Sequence, residues 1–174
     1  MCFTNWGVER VWHPVVIRIG PNTTRTYRQR SDPSVRLDTN DIYFIDLGLV
    51  FGGHEGDAGD TFVTGHAPEH QACADAARTL FDEVATIWRS QGLSGEALDA
   101  FAGERATAMG WRLNHAIKGH RVSDFPHAIH KGGDLGELPS TPSTGLWILA
   151  IQLAHRTKPS GAFHEDLLSL PFTD

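Results

Sequence analysis

The chain has 174 residues, 40% of them hydrophobic and 21% charged; these are ordinary proportions for a soluble globular protein, and the length suits one domain, residues 1–174. A formal net charge of −6 without a basic stripe argues against a nucleic-acid binder, and no stretch of about 20 apolar residues offers a membrane span. Asn5, Glu9 and Arg10 stand where a secretory signal needs an apolar core, and Cys2 and Cys73 are too few for a disulfide framework or a zinc finger, so the expected setting is the cytosol.

Residues 1–7 read as a short irregular start. Residues 15–19, after Trp12-His13-Pro14, alternate as a strand that Pro21-Asn22 ends in a turn. Residues 23–40 are polar and read as a loop over the surface or over a pocket mouth. Its Arg25, Arg28, Arg30 and Arg36 are either a solvated face or include a guanidinium that binds a substrate carboxylate.

Residues 41–65, DIYFIDLGLVFGGHEGDAGDTFVTG, are the stretch around which the chain is organised. Residues 42–45 read as one strand, Gly52-Gly53 as the turn, and residues 61–64 as the return strand. Asp46 ends the first strand and Asp57 lies on the return path, nearly opposite, with Cβ atoms roughly 5 Å apart. Two carboxylates that close repel unless a proton or cation separates them. Either a hard or borderline divalent metal lies between them, or both are turn residues solvated at a loop tip.

Pro68 opens a helix that runs to about Gln91, with Ala77, Leu80, Phe81, Val84, Ile87 and Trp88 as its buried stripe and Gly92 as its stop. Ser94 caps a second helix, which buries Leu98, Phe101 and Ala102 and ends at Gly110. Both helices are assigned to packing. Residues 111–117 read as a short strand. Residues 119–134 form a glycine-flanked loop with His120, His127 and His130, which are ligands or ordinary loop residues, and the loop runs on to residue 144. Long irregular stretches in compact domains are often functional. Residues 145–153 read as a central apolar strand, and residues 162–168 as the last strand. Glu165 and Asp166 interrupt that last apolar run, where a carboxylate needs a partner such as a metal.

In this order, over about residues 11–168, the chain resembles the creatinase/methionine aminopeptidase family of metallohydrolases, the pita-bread fold. The resemblance is carried by Asp46 and Asp57, eleven residues apart in IDLG and GDAGDTFVTG, by His120 after Gly119, by His127 seven residues on, and by Glu165 in FHEDLL. It implies an α+β fold with a curved, mostly antiparallel sheet and helices packed on its outer face. It implies Asp46, Asp57, His120 and Glu165 as ligands of one or two divalent ions (Mn²⁺, Fe²⁺, Co²⁺ or Zn²⁺), with Asp57 and Glu165 bridging. It implies His120 and His127 as catalytic, with His127 also contacting substrate and stabilising an oxyanion. A homodimer acting on a small-molecule or short-peptide substrate follows from the same likeness.

The chain departs from the family in three respects. Ala150 stands where the family's first late Glu is expected, as a natural or engineered change, and Gln152 on the same strand face is a weak substitute ligand. Thr26 stands where the family's upstream His is expected, which leaves His13 as a stand-in and Arg28 as its companion in substrate binding. From its length the chain is expected to be the catalytic-type domain alone, as in methionine aminopeptidases, without the N-terminal helix of relatives or the extra N-terminal domain of prolidases and creatinases. The expected function is a metal-dependent hydrolase cleaving a C–N bond in a small amino-acid-like substrate, with activity lowered by Ala150. A metal-dependent lyase or dehydratase, and a non-catalytic binding domain, are the alternatives.

Overall fold

The computed structural model describes residues 6–126 and 133–170. Its strands are β1 (Arg10–Val11), β2 (Val16–Ile19), β3 (Ile42–Phe51), β4 (His54–Val63), β5 (Arg112–Leu113), β6 (His120–Arg121), β7 (Trp147–Ala154) and β8 (Gly161–Leu167). They form one open sheet in the order β1-β3-β4-β8-β7-β5, with β2 also on β3 and β6 also on β7, antiparallel at every pairing. Among the described residues the helices are α1 (Pro68–Gln91) and α2 (Gly95–Ala108), and both pack on the same side of the sheet.

The β3–β4 hairpin is longer than the sequence reading, which ended its first strand at residue 45. Alternate residues of β3 stay buried as far as Val50, so the ladder runs on through Asp46 and Gly48 despite their low strand propensity. Gly52 and Gly53, at φ of +56° and +79°, make the turn that only glycine enters without strain. Asp46 is therefore mid-strand. The register pairs Asp46 with Gly59 and Gly48 with Asp57, so the two carboxylates lie diagonally on one face and not opposite each other.

The helices behave as their patterns predict. Ala77, Leu80 and Val84 of α1 and Leu98 of α2 are fully buried against Leu149, Ile151 and Leu153 of β7. Gly92 ends α1 in the left-handed conformation, and the Ser94 Oγ accepts from the Ala97 N–H at 3.2 Å to cap α2. The strand expected over residues 111–117 shrinks to Arg112–Leu113, and residues 20–24 coil into a 3₁₀ turn. No helix of the described residues is long and apolar enough to cross a membrane.

Strand β7 is buried on both faces. Its odd-numbered residues meet the helices, while Ala150 and Gln152 face a cavity on the other side. One transverse row of paired residues crosses that cavity face: Val16, Asp46, Gly59, Glu165 and Ala150. Adjacent strands lie about 4.8 Å apart, so this row brings residues from opposite ends of the chain into one site.

Candidate metal centre

The cavity has a volume of about 460 Å³, and His13, Asp46, Asp57, His120, Ala150 and Glu165 are among its walls. Each side chain has a local reason to be there. Glu165 is set by its pairing with Gly59, and the Thr61 hydroxyl clamps the same two strands, donating to the Phe163 carbonyl and accepting the Phe163 N–H, both at 2.7 Å. Gly59 has no Cβ, and one built there would lie 2.5 Å from the Phe163 ring. His120 follows Gly119, whose φ of +70° and close approach to the Ile148 carbonyl exclude any side chain. Gly48 faces the His13 imidazole, and a Cβ at Gly48 would lie 2.0 Å from its Cδ2.

Asp57 is the hub. Its Oδ1 lies 3.1 Å from His13 Nε2, and its Oδ2 lies 3.0 Å from His120 Nε2. Among the described residues, two sets of possible ligand atoms lie within 4.8 Å of one another: His13, Asp46 and Asp57 on one side, and Asp57, His120 and Glu165 on the other. Asp46, Asp57 and Glu165 are all buried, and Asp46 Oδ1 has no hydrogen-bond partner among the described residues. An ionised carboxylate oxygen buried without a donor is costly.

The protonation pattern tells the same story. Burial, then the charge of Asp57, pushes the Asp46 carboxyl up to about 7. Burial, followed by the charges of Asp57 and Asp46, raises Glu165 well above the carboxylate range. Asp57 is itself held low: burial alone would raise it, but the hydrogen bonds from His120 and His13 outweigh that. Burial works against a charged His13 ring, yet its Asp57 hydrogen bond, the Pro14 carbonyl and the nearby carboxylates lift it to about 9. His120 is raised in the same way, with Asp57 overcoming burial. Protons on this cluster do the work a cation would do, and the donor set of carboxylate oxygens with imidazole nitrogens fits a divalent metal.

The structure thus brings Asp46, Asp57, His120 and Glu165 together. His13, expected as a stand-in for the upstream His in substrate binding, lies within the carboxylate cluster itself, with a side chain only 10% exposed. Arg28 lines the same cavity from the loop after β2, and its side chain is exposed. His127 and His130 lie outside the described residues. Thr26 does not line the cavity, and its carbonyl accepts from Arg18 at 3.0 Å. Ala150 is buried beside Glu165 on the cavity wall, so no carboxylate occupies its position.

Gln152 is not free to substitute as a ligand. Its Nε2 donates to the Thr23 and Arg25 carbonyls at 2.9 and 3.1 Å, and its Oε1 accepts from Asn114 Nδ2 at 2.5 Å. It splints the loop after β2 to the central strand. Sequence reasoning missed Arg18, which is buried, lines the cavity and donates to Ser31 Oγ at 2.6 Å and to the Gln29 carbonyl at 2.6 Å. Its signal was a lone arginine at an inward position of an otherwise apolar strand.

No family model and no curated protein matches the chain. Solved structures do. The prolidase of Pyrococcus horikoshii OT3 superposes with a TM-score of 0.71 at 20% identity, over 94% of this chain and 46% of that one. The X-Pro aminopeptidase of Thermotoga maritima MSB8 gives 0.75 at 18% identity, over 98% and 51%. A methionine aminopeptidase of Thermotoga maritima gives 0.70 at 14% identity, over 96% and 77%. The chain therefore has the pita-bread fold of these metallopeptidases, and it spans about half the length of the prolidase and the X-Pro aminopeptidase.

Proposed function

We propose that the chain is a cytosolic metal-dependent hydrolase that cleaves a C–N bond in a small, amino-acid-like substrate. One observation carries this: buried Asp46, Asp57 and Glu165 meet His120 in one open cavity, with Asp46 Oδ1 left without a hydrogen-bond donor among the described residues. Asp46, Asp57, His120 and Glu165 would hold one or two divalent ions. A divalent cation bound there acts as a Lewis acid towards a carbonyl and acidifies water.

The remaining work falls to the chain's own side chains. Arg18, Arg25 and Arg28 line the cavity and pair with no carboxylate among the described residues, which favours a substrate with an anionic group. Arg18 spends its hydrogen bonds on Ser31 and on the carbonyls of Thr26 and Gln29, and so fixes the loop that carries the other two. Phe44 and Phe163, whose rings are tilted against each other with centroids 4.9 Å apart, give the cavity an apolar wall. Glu165 is the carboxyl that β7 and β8 turn into the cavity, because its neighbour Ala150 carries none.

Ala150 also favours a second reading, a metal-holding binding domain without turnover. Metal analysis and a dipeptide and amide panel separate the two. The hydrolase reading expects about one or two ions per chain, loss of metal with the fold kept in Asp57→Ala, and at least tenfold faster hydrolysis in Ala150→Glu. Metal uptake with neither hydrolysis nor an unsaturated product in the parent chain or in Ala150→Glu selects the binding domain. Unchanged metal content in Asp57→Ala would falsify the site altogether.

A further inference from the structure

We infer that His13 is a ligand of the cation held by Asp46 and Asp57, so that this centre has a nitrogen donor on each side of Asp57. The inference rests on the reading above that the cluster holds a cation, and it concerns a residue that sequence reasoning assigned at most to substrate contact.

The backbone delivers His13 to this place deliberately. Strand β1 pairs Val11 with Leu49, and β2 pairs Val16 with Asp46, so residues 12–15 must span the distance covered by residues 47–48 of β3. The surplus is thrown out as a kink over the cavity. Trp12 pins it, its backbone N–H donating to the Gly48 carbonyl and its Nε1 to the Gly56 carbonyl, both at 3.0 Å. Trp12 also packs edge-on against the His13 ring at 4.6 Å. The imidazole lies directly on Gly48, where any side chain would collide with it. A surface histidine needs no such cradle.

Its hydrogen bonds orient it as a ligand. Nδ1 lies 2.9 Å from the Pro14 carbonyl, which can only accept, so Nδ1 carries the hydrogen. In the neutral ring the Nε2 lone pair then points at Asp57 Oδ1, 3.1 Å away, and Asp46 Oδ1, 3.5 Å away. His120 is arranged in the same way, with Nδ1 3.2 Å from the Arg121 carbonyl and Nε2 3.0 Å from Asp57 Oδ2. A backbone carbonyl on one ring nitrogen and an anionic cluster on the other is how ligating histidines are held. A plain His13–Asp57 ion pair does not account for Asp46 Oδ1, which has no hydrogen bond among the described residues although the ring lies 3.5 Å away.

The two departures of this chain then fit together. Ala150 removes an oxygen donor from the His120 side, and His13 adds a nitrogen donor on the Asp46 side. Two imidazoles with three carboxylates make a softer set than one imidazole with four carboxylates, and shift preference from Mn²⁺ towards Co²⁺ and Zn²⁺.

The test uses Co²⁺ alone on the full chain. Proton NMR of the Co²⁺-loaded protein should show two hyperfine-shifted exchangeable imidazole N–H signals, one for each Nδ1. His13→Phe, which keeps a ring over Gly48, should lose one signal and weaken Co²⁺ binding by calorimetry on the order of 100-fold. His54→Ala, at an exposed histidine paired with Asp124, should change neither. A single such signal in the unaltered chain overturns the inference even if His13→Phe fails to fold. Unchanged signals and affinity in a folded His13→Phe overturn it while leaving the cation site in place. Failure of the unaltered chain to bind Co²⁺ overturns both it and the reading on which it rests.

Discussion

Glycines, as much as ligands, define this site. Gly48 and Gly59 stand opposite Asp57 and Asp46 in the hairpin, and each leaves room for a ring from elsewhere, His13 at Gly48 and Phe163 at Gly59. Glycine inside a strand signals close approach of another group, so the approach was legible in IDLG and in GDAGD. Which ring approaches was not, because the kink that carries His13 depends on how β1 and β2 share one partner strand. Gly48→Ala should therefore expel the imidazole. Overpacking costs about 1–3 kcal/mol, and divalent-metal affinity should fall with it. Gly59→Ala should cost a similar amount of stability against Phe163 while leaving His13 in place. Thermal melts with and without Zn²⁺ distinguish the two, since only Gly48→Ala should lose the stabilisation that Zn²⁺ gives.

Strand parity sorts the acidic residues between the two faces of the sheet. Asp57 faces the cavity, whereas Asp60, three residues on, faces α1 and forms a forked pair with Arg78 at 2.9 to 3.2 Å and a contact with His164 at 3.0 Å. Glu165 and Asp166 divide in the same way, the first buried in the cavity and the second exposed. A period of two was readable along β4, but it shows the face only once the strand is known to run from residue 54, and the sequence suggested a start at residue 61. Helix limits were far more legible, because Pro68, Gly92 and Ser94 act locally. Asp60→Asn should cost about 0.5–1 kcal/mol, since its pair with Arg78 is a third exposed, and should leave metal content unchanged. Metal analysis beside Asp57→Asn checks this: loss of metal in both variants would mean that parity does not separate them.

On the scale of the whole molecule, the fold gathers like charges that only a proton or a cation makes compatible. The order of Asp46, Asp57, His120 and Glu165 along the chain was legible through family resemblance. The locks on Gln152 and Arg18 were not, because Gln152 reaches across 129 residues to Thr23 and neither side chain carries a motif. Stability of the chelated protein should therefore depend on pH with a definite sign. His13 is held at about 9 against an ordinary 6.5, so its contribution is complete below 6.5 and is lost as pH rises through 9, on the order of 3 kcal/mol. Asp46, held at about 7 against 3.8, also binds a proton that the unfolded chain releases, and it destabilises increasingly between those values. Asp57 is held low, so its contribution is already complete above 3.8 and does not offset the others there. With chelator present, the melting temperature should fall steadily from about pH 5 to 9. A divalent cation displaces those protons, so the stabilisation it gives should grow over the same range, reaching about 2.7 kcal/mol wherever free metal is 100 times its Kd. Melts in EDTA and in Zn²⁺ across that range measure the gap directly. A gap independent of pH would mean that metal and protons do not compete for these side chains.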